Sequence, residues 1–265
     1  MMQLGEPKRL LECAPNFRDI GGYPTEDGRK VRSGLIFRSQ MVVGPSAADI
    51  DMLGDIGIRY ICDLRGAREA EQAPCHWPTG VACETRKLDI GADVRAGAEL
   101  LLDIIVADPT EVGIRRMMLA TYSLLPLSFQ GKLGVVLDDL VSGNRFPAVI
   151  HCTAGKDRTG FTIAILLLTL GAPMEIVRHD YMLTARYLDI ARMMAASAGY
   201  LKSVVGDRVT PSEAMLRMLC GVHQDYLDAA IGAVMRDYGS VEGYLEKTAG
   251  FNAAKRERLR ELLLE

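Results

Sequence analysis

The chain has no C-x-x-C pair. Its six cysteines, Cys13, Cys62, Cys75, Cys83, Cys152 and Cys220, are scattered, which argues against a disulfide scaffold or a sequence-encoded zinc site and fits a reducing, cytoplasmic setting. It has no excess of charge. Lys and Arg number 31 against 34 Asp and Glu, a formal charge of −3, so the molecule as a whole has no attraction for nucleic acid or an acidic membrane. Any preference for an anion must be local. It has no long hydrophobic run either: Phe161 to Leu170 (FTIAILLLTL) is the most apolar stretch, far too short to cross a bilayer, and reads as a core helix. The N-terminal MMQLGEPKRLLECAP lacks an apolar core, so no secretory leader is expected. Repeats and low-complexity tracts are missing too. What is there is an ordinary globular balance, 49% hydrophobic and 25% charged over 265 residues, enough for a large core. We expect one domain spanning 1–265.

Val31 to Ser39 reads as one or two short strands after Gly/Asp turns. Ser46 followed by Asp49 is a helix start, running through Leu53. Ile58 to Arg65 is a strand ending in charge, Gly66 to Gln72 a short helix, and Glu84 to Ile90 a further strand. Helical periods cover about 97–107, 110–125 and 129–142. Ala148 to Cys152 is the next strand. Beyond it the chain is helical: Gly171 closes the helix begun at Thr159, Pro173 opens the next, and apolar spacing marks 174–187, 188–205, 211–237, 240–248 and 252–264. Strands embedded among helices predict an α/β fold, a mostly parallel central sheet flanked by helices. Ligands of such sheets sit beyond the carboxyl ends of the strands, where Cys152 and Asp63 both fall.

The most informative stretch is AVIHCTAGKDRTG, residues 148–160. A buried strand ends at His151 and Cys152, and a tight loop leads into a helix carrying Arg158 and Thr159. Amide N–H groups of a loop curling into a helix N-terminus converge on one point with partial positive charge. That field favours an ionised sulfur at its centre. Arg158 can grip two oxygens of an oxyanion with its planar fork. A nucleotide-binding Walker loop is excluded, because Ile150 stands where its first glycine would be and Asp157 follows Gly155-Lys156.

The Cys-x5-Arg-Thr loop resembles that of the cysteine-dependent phosphatases of the protein tyrosine phosphatase superfamily. Together with Asn16-Phe17-Arg18-Asp19-Ile20-Gly21-Gly22, the fuller HCTAGKDRTG is similar to the bacterial tyrosine and lipid phosphatases with an HCxxGKDRTG loop. The resemblance implies that fold, a phosphocysteine formed on Cys152, and a phosphorylated protein or a phosphoinositide as substrate. It calls for no metal or organic cofactor. It also implies a helical lid, at about 181–222, and export of some members without an ordinary signal.

Within this reading Thr153, Ala154, Gly155, Lys156 and Asp157 supply backbone donors, and Arg158 holds the phosphoryl oxygens. Thr159 is expected to donate its hydroxyl to the Cys152 sulfur, and His151 to order the loop. Lys156 is expected as a second cation at the pocket mouth. Asp63 and Asp157 are both candidates for the general acid. Asp63 is preferred, because Lys156 and Arg158 flank Asp157 and favour its charged form. Bracing of the loop from outside is one role open to Arg18 and Asp19, but a purely structural role is the expected one, and the many methionines of the later helices are expected to fill core. A catalytically silent phospho-binding module is the rival reading. An arsenate reductase or sulfurtransferase fits less well, for want of resolving cysteines and by arginine spacing.

Overall fold

Five strands form one sheet in the order β1 (Arg18–Asp19), β2 (Ile36–Ser39), β5 (Ala148–His151), β3 (Tyr60–Asp63) and β4 (Glu84–Lys87). Only β1 runs antiparallel to its neighbour; the other pairs are parallel. The α/β class with a mostly parallel sheet is therefore the observed one. The computed structural model describes residues 9–78, 83–91, 98–206 and 209–265. The expected helix start at 97 and positions 207–208 of the lid-like segment lie outside these, as does the N-terminal stretch 1–8.

Every residue of β2, β3 and β5 is buried, because both faces of the sheet are covered. Side chains alternate between the faces. Phe37, Ile61 and Val149 meet Phe17, Leu53 and Ile58 on one side. Ile36, Tyr60, Cys62, Ala148 and Ile150 meet the main core on the other. The first side is closed by α1 (Ala47–Ile56), started by the reciprocal Ser46–Asp49 cap that the sequence announces.

α2 (Ala67–Gln72) follows β3. Between β4 and β5 lie α3 (Ala98–Ala107), α4 (Glu111–Ser128) and α5 (Lys132–Val141). After β5 come α6 (Asp157–Leu170), α7 (Met174–Tyr187), α8 (Ile190–Val205), α9 (Glu213–Cys220), α10 (Gln224–Tyr238), α11 (Val241–Ala249) and α12 (Ala253–Leu263). Nearly every residue of α6 is buried, which explains its unbroken apolar run. Its two interior threonines, Thr162 and Thr169, return their hydroxyls to the carbonyls of Arg158 and Ile165, at 2.9 and 2.7 Å, so that neither hydroxyl is left bare. Gly171, in the left-handed region at φ +89°, ends it.

The apolar spacing over 211–237 is not one helix. It breaks at Gly221–His223 into α9 and α10. A Cβ on Gly221 would stand 2.7 Å from the Arg217 carbonyl oxygen, so only glycine fits this corner. The corner matters because it meets the loop after β5.

Candidate active site

The sheet register sets His151 between Ser39 and Asp63, at the carboxyl ends of three adjacent strands. Cys152 is the next residue, 3% exposed. The following loop has its carbonyls turned outward. That of Thr153 accepts from the Met41 amide at 3.1 Å. Those of Ala154 and Gly155 each accept from Asn16 Nδ2 at 3.0 Å, and Gly155 also takes Arg38 Nη2 at 2.7 Å. In a trans peptide the C=O and N–H point opposite ways. The amides of Ala154, Gly155 and Lys156 therefore face inward, joined by the open first turn of α6. Gly155 is obligatory here: its φ is +65° and a Cβ would lie 2.4 Å from the Ser39 carbonyl oxygen.

The bracing behind the loop is ionic and buried. Asp180 of α7 sits between Arg18 and Arg38, bonded to both. Arg18 also donates to the Asp180 carbonyl at 2.7 Å and to Asn16. Burial draws Arg18 down to about 10, with Arg38 adding to the effect and Asp180 opposing it. Burial alone would raise the Asp180 carboxyl, but the two arginines outweigh it and hold it below the usual range. Asp19 stays outside this cluster and pins a turn through the amides of Gly21 and Gly34, at 2.8 and 2.6 Å. No role for Asn16, Arg38 or Asp180 was legible in the sequence, although Asn16 heads the NFRDIGG stretch. An acid inside the apolar period of α7 was the available signal for Asp180.

Arg158 already holds an anion. Its Nη1 and Nη2 donate to the two carboxylate oxygens of Glu69, on the first turn of α2, at 2.7 and 2.8 Å. Nη1 also reaches the Ile90 carbonyl at 2.9 Å. Glu69 accepts from the Thr153 hydroxyl and from the Gly66 amide as well. Burial pulls the Arg158 guanidinium down, but Glu69 first and Cys152 next raise it above its ordinary value. Sequence reasoning missed Glu69. A glutamate three residues past Gly66 marks a helix start, yet nothing local points it at residue 158.

Three expectations change. Lys156 is not at a pocket mouth: it is 2% exposed, and its ammonium donates to the carbonyls of Leu219, Cys220 and Gly221 at 2.9, 3.3 and 3.2 Å. The bare C-terminal carbonyls of α9 attract it there. Thr159 Oγ1 is buried without a hydrogen-bond partner among the described residues, so no bond to the Cys152 sulfur is formed. Asp63 reaches the cleft, but Arg65 clamps both its oxygens, Nε to Oδ1 at 2.9 Å and Nη2 to Oδ2 at 2.7 Å. Burial would raise Asp63, yet Arg65 and His151 hold its carboxyl low. Asp157 stands on the other side of the loop, its side chain 38% exposed. One of its oxygens accepts from Tyr122, whose hydroxyl is 2.7 Å from that of Tyr181. Burial first, then Asp157, raise the Tyr122 hydroxyl well above its normal range, so it stays a neutral donor. His151 is wholly buried, and burial lowers it below the ordinary 6.5. Its Nδ1 lies 3.3 Å from the Cys152 carbonyl oxygen.

A cysteine at a strand end, followed by a loop with inward amides and by an arginine at a helix start, on a mostly parallel sheet flanked by helices, is the arrangement of a cysteine-dependent phosphatase. The comparisons narrow this. The profile of the tyrosine phosphatase family matches residues 10–265, and the chain belongs to that family. It is 29% identical over 257 residues to a protein of Cupriavidus necator (strain H16) named, provisionally, a tyrosine-protein phosphatase; the match covers 95% of this chain and 87% of that one. It is likewise 29% identical over 283 residues to the triple specificity protein phosphatase PtpB of Mycobacterium tuberculosis, covering 97% of this chain and 99% of its relative. A tyrosine-protein phosphatase of Nostoc commune is 28% identical over 222 residues, covering 80% of this chain and 68% of the other.

Proposed function

We propose that the chain hydrolyses phosphotyrosine in proteins, with Cys152 as nucleophile and Asp157 as general acid. The observation that carries this is the outward turn of the carbonyls of Thr153, Ala154 and Gly155 around Cys152. A phosphoryl group seated on the inward amides takes the two Arg158 nitrogens from Glu69. The Cys152 sulfur attacks phosphorus in line. The S–P bond forms, the P–O bond to tyrosine breaks, and Asp157 passes its proton to the departing oxygen. Water then attacks phosphorus, returning a proton to Asp157, and the sulfur leaves. The charge that spreads over the non-bridging oxygens is met by the amides and Arg158. Thr153, Ala154, Gly155, Lys156 and Asp157 bind through backbone N–H groups.

Asp157 is favoured over Asp63 because its carboxyl is exposed beside the loop and oriented by Tyr122, whereas Asp63 is buried and bonded to Arg65 through both oxygens. The triple specificity named for one relative supports a breadth beyond phosphotyrosine, including lipid phosphates. The α8–α9 pair, reached by Lys156, is the candidate lid. No helix among the described residues is long and apolar enough to span a membrane, and six free thiols favour action in the cytoplasm.

Asp157→Asn tests the assignment. It should lose far more rate on an alkyl phosphate, whose leaving oxygen needs a proton, than on p-nitrophenyl phosphate, by about 10²–10⁴-fold on the former. Asp63→Asn should show no such split. The reverse pattern returns the acid role to Asp63.

A further inference from the structure

Asp63, Cys75 and His151 meet beside the catalytic loop from three separate stretches: the end of β3, the segment after α2 and the end of β5. One donor atom from each lies within 4.8 Å of the other two. The His151 nitrogen turned toward Asp63 is Nε2, 3.9 Å from Oδ1. It is fully buried and has no hydrogen-bond partner among the described residues. With the ring proton on Nδ1, bonded to the Cys152 carbonyl at 3.3 Å, Nε2 turns a lone pair to a carboxylate oxygen. That oxygen already accepts from Arg65 Nε at 2.9 Å, so Nε2 is the atom left without a partner. Leaving a buried nitrogen so is costly, and a cation bound to it removes the cost.

We propose that Asp63, Cys75 and His151 form an inhibitory site for a borderline-soft transition-metal ion, Zn²⁺ above all. Thiolate, imidazole and carboxylate are the donor types that zinc takes, and a fourth position stays open for water. The outer partners are already in place. A histidine ligand characteristically donates its second nitrogen to a backbone carbonyl, and a ligating carboxylate is itself hydrogen-bonded; His151 has the Cys152 carbonyl, and Asp63 has Arg65. The Trp77 ring, 5.8 Å from that of His151, gives the site an apolar wall. Ligand atoms around zinc sit about 3.5 Å apart, so closing the set draws the three donors together. Binding displaces the thiol proton of Cys75 to solvent. The ion pulls on His151, whose peptide leads directly to Cys152. A misplacement of about 1 Å in the nucleophile suffices to cost about 10²-fold in rate.

The sequence alone gave no hint of this site, since its ligands share no local spacing. It is also independent of turnover, which makes it testable in the Cys152→Ser protein. Co²⁺ added to that variant should give a sulfur-to-cobalt charge-transfer band with tetrahedral d–d absorption, displaced by Zn²⁺. Cys75→Ser, in either background, should abolish the band. In the otherwise native protein Cys75→Ser should hydrolyse p-nitrophenyl phosphate as before, while its sensitivity to Zn²⁺ falls by more than about tenfold. A band that follows Cys152 instead of Cys75, or Zn²⁺ inhibition equal in both proteins, overturns the proposal. Cys75→Ala should match Cys75→Ser in both readouts, which separates loss of a ligand from an effect of the new hydroxyl.

Discussion

Glu69 and a substrate phosphate compete for the same two nitrogens of Arg158. The guanidinium keeps the Ile90 carbonyl when Glu69 leaves, so its position does not depend on the glutamate alone. Removing the internal anion therefore frees the pocket. Glu69→Ala should tighten competitive inhibition by inorganic phosphate by about tenfold, equivalent to about 1.4 kcal/mol. Weaker inhibition would mean that Glu69 is needed to hold Arg158 in place. At this scale the sequence was legible where chemistry is contiguous. His151 to Thr159 form one string, and the loop they make was read from it. Glu69, Asn16, Arg38 and Asp180 reach the loop across long separations in the chain, and no periodicity or spacing rule links them to it. Lys156 was misplaced for a related reason: its partners are carbonyls exposed by the break between α9 and α10, a tertiary fact.

The α9–α10 corner couples an element to the site. Three carbonyls there share one buried ammonium. Lys156→Ala leaves those carbonyls without a donor and should loosen α9, read as faster amide hydrogen exchange across Glu213–Cys220 with exchange in α6 unchanged. If Lys156 instead serves the substrate, exchange stays the same and activity on phosphoinositides falls while activity on phosphotyrosine peptides holds. Most helix boundaries were legible because start and stop residues sit where physics wants them: the Ser46–Asp49 cap, Gly171 at positive φ, Pro173 before α7. The 211–237 segment misled because apolar spacing continues through the corner while Gly221 breaks the backbone.

For the molecule as a whole, Asp180 ties α7 to β1 and β2 beneath the loop. Its carboxyl is held low in the folded protein, against about 3.9 in an unfolded chain. Stability from this group is thus fully present above about pH 3.9 and is lost as pH falls through the depressed folded value. Asp180→Asn, which strands two buried arginines, should cost about 3–5 kcal/mol at neutral pH, and the variant should lose part of the native protein's acid sensitivity in chemical denaturation. A cost under about 1 kcal/mol would mean the arginines find other partners. All these contacts serve one chemical claim, that the Cys152 sulfur takes up the phosphoryl group. The most direct measurement is mass spectrometry of the Asp157→Asn protein, acid-quenched during turnover of p-nitrophenyl phosphate and digested. The account predicts one phosphoryl group on the peptide containing Cys152, absent from Cys152→Ser. Turnover that persists in Cys152→Ser, or a phosphoryl group on any other residue, contradicts it.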